Sequence, residues 1–513
     1  LLTISLPLST PTVAAGASLS AAALSLTSQF GTGQSSPPTN LGTYGTVTLN
    51  RTDAGDINYT ASGNLIVAGA QTTNGSIAFT AAGLTIAAPL APSGTAKDVS
   101  LTATASDLVI NSAITSGRNL TLSAASGRII DAPTAKLTVP GDLTASALSA
   151  ATLYTQAGSL SATLTGSNAT LVVNEDDGLD IKSILFVGTN STATLNIGSA
   201  ALGGNATVGL IDAGPTGSVT INAYGDIGED VVDAGTADII ARNLTLSSSS
   251  GQIVLDIDVA VLFATSLQAN KAITIRDVGT GATAGLELRS ITGTGAVTVS
   301  SVGTITATSV TTTGAVNLST SDAAADILVG SVTATGNTAT LSARRSILEA
   351  FPADPAADLI ASGAVLTAAT GSIVLQTAID QVAATAATSI TLREDDALSL
   401  GAISAPIVSI TTGILGGNGA VTQTQPIPST VTSLSITNQG NVGDISLTNA
   451  NNAAGSVAFI NPGRNVAYTA LAGFDIAAAG IQGQKIDLVF AGPVTQSGAI
   501  TGSSLSVRNT VGG

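Results

Sequence analysis

Two stretches of this chain, 120 residues apart, carry the same residues at the same points: Ile227, Asp238, Ile240, Gly251, Ile253 and Leu255 recur as Ile347, Asp358, Ile360, Gly371, Ile373 and Leu375. Just downstream, ITIRD (Ile273–Asp277) returns as ITLRE (Ile390–Glu394), 117 residues on. GLDIKSI (Gly178–Ile184) matches GLELRSI (Gly285–Ile291) at an offset of 107, and AVTQTQPI (Ala420–Ile427) matches PVTQSGAI (Pro493–Ile500) at 73. A globular duplication would keep one spacing. A solenoid tolerates drift, because each coil needs only the coil above and the coil below, and whole coils or loops can be gained or lost.

Inside the repeats the period is two. LTLSAASGRII (Leu120–Ile130), LTLSSSSGQIVL (Leu244–Leu255) and LTAATGSIVL (Leu366–Leu375) share one plan. An alternating strand runs into a corner of small residues ending in Gly, and a second strand follows. A glycine there suits a sharp corner needing positive φ. Helical periodicity is scarce. The apolar content, 44%, comes from Ala, Val, Ile and Leu, with aromatics at 3% and 56 glycines. Branched side chains of this kind suit pleated surfaces. The expected class is all-β, an elongated parallel β-solenoid (β-helix) of degenerate repeats. At about 20 residues per coil, some 25 coils would stack over a length on the order of 120 Å.

Texture is uniform along the 513 residues, and no linker or long charge run divides them. The densest loop signal is GTGQSSPPTN, Gly31–Asn40. The expected organisation is an N-terminal apolar, Pro/Gly-containing segment over 1–44, serving as a cap or interlocking piece, and a continuous solenoid over 45–513. The chain contains no Met and so lacks an initiator. That suggests a processed or truncated piece, with a signal peptide removed before Leu1.

Charge is sparse, at 9% of residues, yet two places concentrate it: VVNEDDGLDIKSI (Val172–Ile184) and LREDDALSLGAIS (Leu392–Ser404). In a solenoid, Leu179 and Ile181, like Leu398 and Leu400, point inward. The triplets Glu175–Asp176–Asp177 and Glu394–Asp395–Asp396 are then expected on the water-facing turn before that strand. Spacing them many coils apart avoids like charges one strand apart and discourages lateral strand addition.

Several function classes fall away. Net charge is −16, with 32 acidic and 16 basic residues, so no basic patch exists to neutralise phosphates and nucleic acid is not an expected partner. The same balance disfavours anionic membranes. No later segment has 18 uninterrupted apolar residues, and Pro7 and Pro11 interrupt the apolar start, so no membrane span is expected. Without His or Cys, the usual catalytic triads and thiolate zinc sites are excluded.

Carboxylate-pair hydrolysis remains chemically open, through Asp176 with Asp177 or Asp395 with Asp396. Sugar sites, however, favour aromatic platforms, and this chain has five Tyr, eight Phe and no Trp. Oxygen ligands for calcium are available in the triplets and in Asp226, Glu229, Asp230 and Asp233. Neither a Gly-Asp nonapeptide nor an EF-hand loop is present, so these read as solvated turn carboxylates. Asn449, Asn451 and Asn452 read as turn residues rather than a stacked ladder. Triplets such as Asn119-Leu120-Thr121 arise by chance in so Ser/Thr-rich a chain. VTTTGAVNLST (Val310–Thr320) lacks a strict T-x-T row of an ice-binding face. GTGATAG (Gly279–Gly285) lacks the helix of a nucleotide loop. No catalytic, cofactor or metal residue is assigned.

ITLREDDALSLGAIS, AVTQTQPI, GDISLTNANNAAGSVAF and PVTQSGAITGSSLSV together resemble the repeats of filamentous-haemagglutinin-type exoproteins, the large β-helical adhesins of Gram-negative bacteria. The resemblance runs from about Gly45 onward. It implies a right-handed β-helix, export through an outer-membrane secretion partner, and a surface fibre or adhesin without catalytic residues. The expected function is a non-enzymatic, extracellular structural or adhesive rod on the bacterial cell surface. Two other classes stay open. One is a filament or sheath subunit that self-associates end to end. The other is a module binding a glycan or host receptor, for which Tyr224 and Phe351 are the aromatics near insertions. A β-helical polysaccharide hydrolase or lyase is the least expected.

Overall fold

A computed structural model describes residues 2–6, 23–28, 45–51, 54–94, 96–231, 235–279, 285–352 and 354–511. Among them there is no helix, and the strands pair in parallel, apart from one isolated antiparallel bridge between Ser199 and Gly203. The fold is a parallel β-solenoid.

One coil shows why. Its three short strands are Val99–Ala103, Leu108–Ile110 and Ile114–Thr115. The next coil lays Leu120–Ala124, Arg128–Asp131 and the start of Leu137–Ala147 over them, in register. Val99 pairs with Leu120, Leu108 with Ile129, and Ile114 with Leu137. Successive side chains on a strand face opposite ways, so in-register stacking puts inward residues directly over one another. The result is a ladder such as Phe79, Leu101, Leu122, Ala145 and Ala162, all buried. The burial pattern of Leu120–Ala124 alternates accordingly. Because Ala, Val, Ile and Leu differ little in width, any of them can follow any other along a ladder.

The chain falls into two compact units, residues 1–259 and 260–513. The second repeats the same plan. Val297–Ser301, Thr304–Ala307 and Val310–Thr312 are covered by Val316–Thr320, Ile327–Val329 and the start of Val332–Ala343. Coil length varies: stacked partners are 17 residues apart at Thr377 and Glu394, and 26 apart at Asn196 and Asn222. The expected figure of about 20 residues per coil lies within this range, and turns absorb insertions that the ladders cannot.

The 120-residue repeat holds in three dimensions. Ile227 and Ile347, Ile253 and Ile373, and Leu255 and Leu375 all point into their cores. Asp238 and Asp358 are both buried, and each accepts the amide of the residue 18 positions later.

One expectation needs correction here. The corner glycines Gly127, Gly251 and Gly371 do not have positive φ. They are glycines because the neighbouring coil leaves no room: a Cβ on Gly127 would lie 2.3 Å from the Ser106 carbonyl oxygen, and one on Gly251 2.3 Å from the Asp226 nitrogen. Of the segment 1–44, expected as a cap or interlocking piece, the structure describes Leu2–Leu6, which pairs with Ala23–Ser28, which pairs in turn with Thr46–Arg51. The rest of residues 1–44, including Gly31–Asn40, lies outside the described residues.

Leu101→Ala should destabilise the first unit by about 2–5 kcal/mol, since it opens a cavity in a continuous ladder. Gly127→Ala should also destabilise it, by backbone displacement. Urea denaturation followed by far-ultraviolet circular dichroism reads both. A Gly127→Ala midpoint equal to wild type would show that the coil-to-coil approach at that corner is not limiting.

Candidate functional site: the acidic corners

The acidic residues of this chain divide by what they hold. One large group sits immediately before the first inward apolar residue of a strand: Asp56-Ile57, Asp98-Val99, Asp107-Leu108, Asp226-Ile227, Asp326-Ile327 and Asp444-Ile445. Each carboxylate accepts the backbone amide of the equivalent residue one coil later. Asp56 Oδ1 receives the Ser76 amide at 2.7 Å, Asp107 Oδ1 the Arg128 amide at 2.8 Å, and Asp226 Oδ1 the Gln252 amide at 2.8 Å. Asp326 and Asp444 do the same for Ser346 and Asn465, both at 2.9 Å. Asn119 and Asn205 substitute neutral oxygens in the same geometry, toward Asp142 and Asp226. At a corner the strand ladder is interrupted, so this amide would otherwise lack a backbone partner; the side chain supplies one.

Arginines reinforce several of these caps. Arg118 pairs with Asp98 at 2.6 Å and Arg128 with Asp107 at 2.7 Å, each from the next coil. Those guanidinium hydrogen bonds hold both carboxyls below the usual carboxylate range. Arg345 pairs likewise with Asp326. All three arginine side chains are about half exposed, so each pair adds at most a small increment.

The two Glu-Asp-Asp triplets behave differently, and the expectation that they lie wholly in water is overturned. Asp176 and Asp396 are exposed, but Glu175 is 4% exposed and Glu394 is 0% exposed. The reason is the period of two. In Leu171-Val172-Val173-Asn174-Glu175 the glutamate falls in phase with the two buried residues before it. In Ile390-Thr391-Leu392-Arg393-Glu394 it does so again. Leu179, Ile181, Leu398 and Leu400 do point inward as expected.

Each buried glutamate stacks on a buried threonine of the preceding coil, Thr155 or Thr377. Thr155 Oγ1 donates to Glu175 Oε2 at 2.6 Å, and the Ala157 amide donates to the same oxygen at 3.0 Å. Thr377 Oγ1 donates to Glu394 Oε2 at 2.7 Å, and the Ile379 amide donates to Oε1 at 3.1 Å. The glutamate therefore clamps the point where the preceding coil turns its corner. Burial pushes the Glu175 carboxyl up to about 7, against its donors; the neighbouring Asp177 side chain raises it further. Burial pushes Glu394 up to about 8, with the Asp396 charge adding to the rise. Asp131 and Asp358, buried and each accepting one amide, are also raised by burial to about 7.

The first triplet borders a shallow groove of about 520 Å³, lined by Thr138, Pro140, Gln156, Gly158 and Asp177 among others. Gln156 Nε2 donates to Asp177 Oδ2 at 3.1 Å, and Lys136 pairs with Asp176 at 2.6 Å. Of these carboxyls, Glu175 faces the core, and only Asp177 lines the groove. At the second corner, Asp380 and Ala397 stand where Gly158 and Gly178 stand in the first.

Of the other sequence candidates, Asp226 caps a coil as above, Asp230 lies 3.8 Å from Lys182, and Asp233 lies outside the described residues. Residues 280–284 of the GTGATAG stretch also lie outside them. Among the described residues no three acidic side chains converge as a metal-holding group. Asn449 does form a turn, accepting the Asn451 amide at 3.0 Å. Asn452 does not. It is fully buried, donating to Gln423 Oε1 and to the Leu447 and Thr469 carbonyls, and accepting the Ile427 amide. A stacked amide ladder exists elsewhere: Asn222 donates to Asn196 and Asn196 to Asn174, each at 2.9 Å. The signal was present in LVVN, ATLN and VTIN, where Asn closes an alternating strand three times in succession.

Asp226→Ala should cost about 0.5–1.5 kcal/mol by orphaning the Gln252 amide, while Asp226→Asn keeps an acceptor and should stay near wild type. Equal losses from both variants, in urea denaturation at neutral pH, would mean that charge rather than amide capping is what matters there. No family model matches this chain, and no match to a curated protein or to a solved structure was found.

Proposed function

We propose that this chain is a structural shaft outside the cell, part of a bacterial surface fibre or adhesin, working through stiffness rather than catalysis. The observation that carries this reading is where the chain spends its few charges. Carboxylates at the corners are engaged by amides, hydroxyls or arginines of the adjacent coil, and the two inward glutamates are buried in the ladders. Polar chemistry is directed at holding coil to coil. Secreted repeat adhesins of the kind the sequence resembles serve that role, and the absence of Cys, Met and Trp leaves few side chains open to oxidation in an extracellular setting.

The purified chain, incubated with a panel of neutral and acidic polysaccharides, should yield neither new reducing ends nor unsaturated products. Antibody against it should label intact cells of the source bacterium. Polysaccharide cleavage abolished by Asp177→Asn, or labelling only after lysis, would overturn the shaft reading.

A further inference from the structure

We propose that Asn74 is a site of self-modification: in the folded chain its side-chain amide is displaced by the backbone nitrogen of Gly75, and the residue passes to aspartyl and isoaspartyl forms. Asn-Gly occurs twice in the sequence, at Asn74-Gly75 and Asn418-Gly419. Both pairs stand at the same phase of a corner. Two residues after the glycine comes a buried, inward residue, Ile77 in one and Val421 in the other. Both asparagines are exposed and both glycines are buried. Neither sequence nor burial separates the two pairs; hydrogen bonding does.

At the second pair the Gly419 amide donates to the Val442 carbonyl at 2.9 Å, and Asn418 Oδ1 accepts the Ala420 amide at 3.1 Å. The attacking nitrogen and the group it must attack are both tied. At the first pair neither is. Among the described residues nothing accepts the Gly75 amide, and nothing hydrogen-bonds the Asn74 side chain. The strand Leu65–Thr72 has ended and Ile77–Ala81 has not begun, so no ladder fixes the backbone between them. Asparagine is a chemically labile residue, and a following glycine has no Cβ to obstruct the approach.

The atoms balance with water as the one co-reactant. The Gly75 nitrogen gives up its proton to solvent and bonds to Asn74 Cγ. The side-chain carbon–nitrogen bond breaks, and its nitrogen leaves as ammonia, taking up a proton in exchange. Water then opens the cyclic imide. Opening at the side-chain carbonyl yields aspartate; opening at the backbone carbonyl yields isoaspartate, with the main chain rerouted through Cγ. Nothing is oxidised or reduced.

The corner has no room for the rerouted chain. A Cβ on Gly75 would overlap the Gly55 carbonyl and lie 2.7 Å from the Asp56 nitrogen; one on Gly94, a coil later, would lie 2.9 Å from Asn74 Oδ1. The isoaspartyl linkage adds a methylene to the main chain between these neighbours. Both products also bring a carboxylate to a corner where Asp56 Oδ1 already accepts the Ser76 amide at 2.7 Å, and like charges crowded together repel. The corner loosens locally while other coils keep their ladders. Because the reaction needs only water, its extent records the age of the chain.

Peptide mapping by mass spectrometry tests this on the full chain, incubated at mildly alkaline pH and sampled over time. The peptide holding Asn74 should gain the mass difference between an amide and an acid and split into two chromatographic forms, one of them a substrate for isoaspartyl methyltransferase. It should convert at least about fivefold faster than the peptide holding Asn418, where two hydrogen bonds must first open. In urea the two sites should convert at nearly equal rates, because only the fold distinguishes them. Equal rates in the folded chain, a slower Asn74, or the same difference persisting in urea would each overturn the proposal. Amide hydrogen exchange over residues 72–77 should rise in the aged chain but not in an equally aged Asn74→Ser variant, with Leu120–Ala124 unchanged in both. An aged chain with no such rise would overturn the loosening of the corner.

Discussion

The structure depends on parallel, in-register stacking of short strands. Once Leu101 lies beneath Leu122, every inward position is committed to the residue one coil above and one coil below. That relation is strict about polarity and direction but lenient about identity, since Ala, Val, Ile and Leu all fit the same ladder. It is also indifferent to what happens in the turns. The fold can therefore lengthen a coil from 17 to 26 residues without disturbing the core.

The same stacking creates a recurring difficulty at the corners, where strand pairing stops and amides lose their partners. The chain answers it with side chains. Asp or Asn before the first inward residue caps the amide one coil later, and at two corners a glutamate reaches down to a threonine hydroxyl and an amide together. Burying a carboxyl is costly unless it is hydrogen-bonded, and each of these accepts a threonine hydroxyl and a backbone amide. Scarcity of charge and its concentration at corners are two aspects of one arrangement.

Much of this was legible beforehand. Period-two alternation, drifting repeats and small-residue corners pointed to a parallel solenoid, and the inward placement of Leu179, Ile181, Leu398 and Leu400 followed from phase alone. The same phase, carried two residues back, places Glu175 and Glu394 inward as well. That step was masked by the assumption that a run of three carboxylates must face water. Asp-Ile and Asp-Leu pairs at coil spacing were likewise readable as caps, because a carboxylate just before an inward residue sits where the ladder begins. Corner glycines were identified correctly as necessary, but for φ rather than for the closeness of the adjacent backbone.

Sequence by itself determined the class of fold, the residues that line the ladders and the equivalence of copies 120 residues apart, because these depend on local alternation and on like residues recurring. Tertiary structure alone decided which coil lies over which, and hence that Thr155 meets Glu175 while Thr377 meets Glu394 at a different spacing. Coil length is set by turns whose residues carry little pattern. The partners of a side chain pointing along the stack belong to another coil, some 20 residues away, and register rather than sequence neighbourhood brings them together.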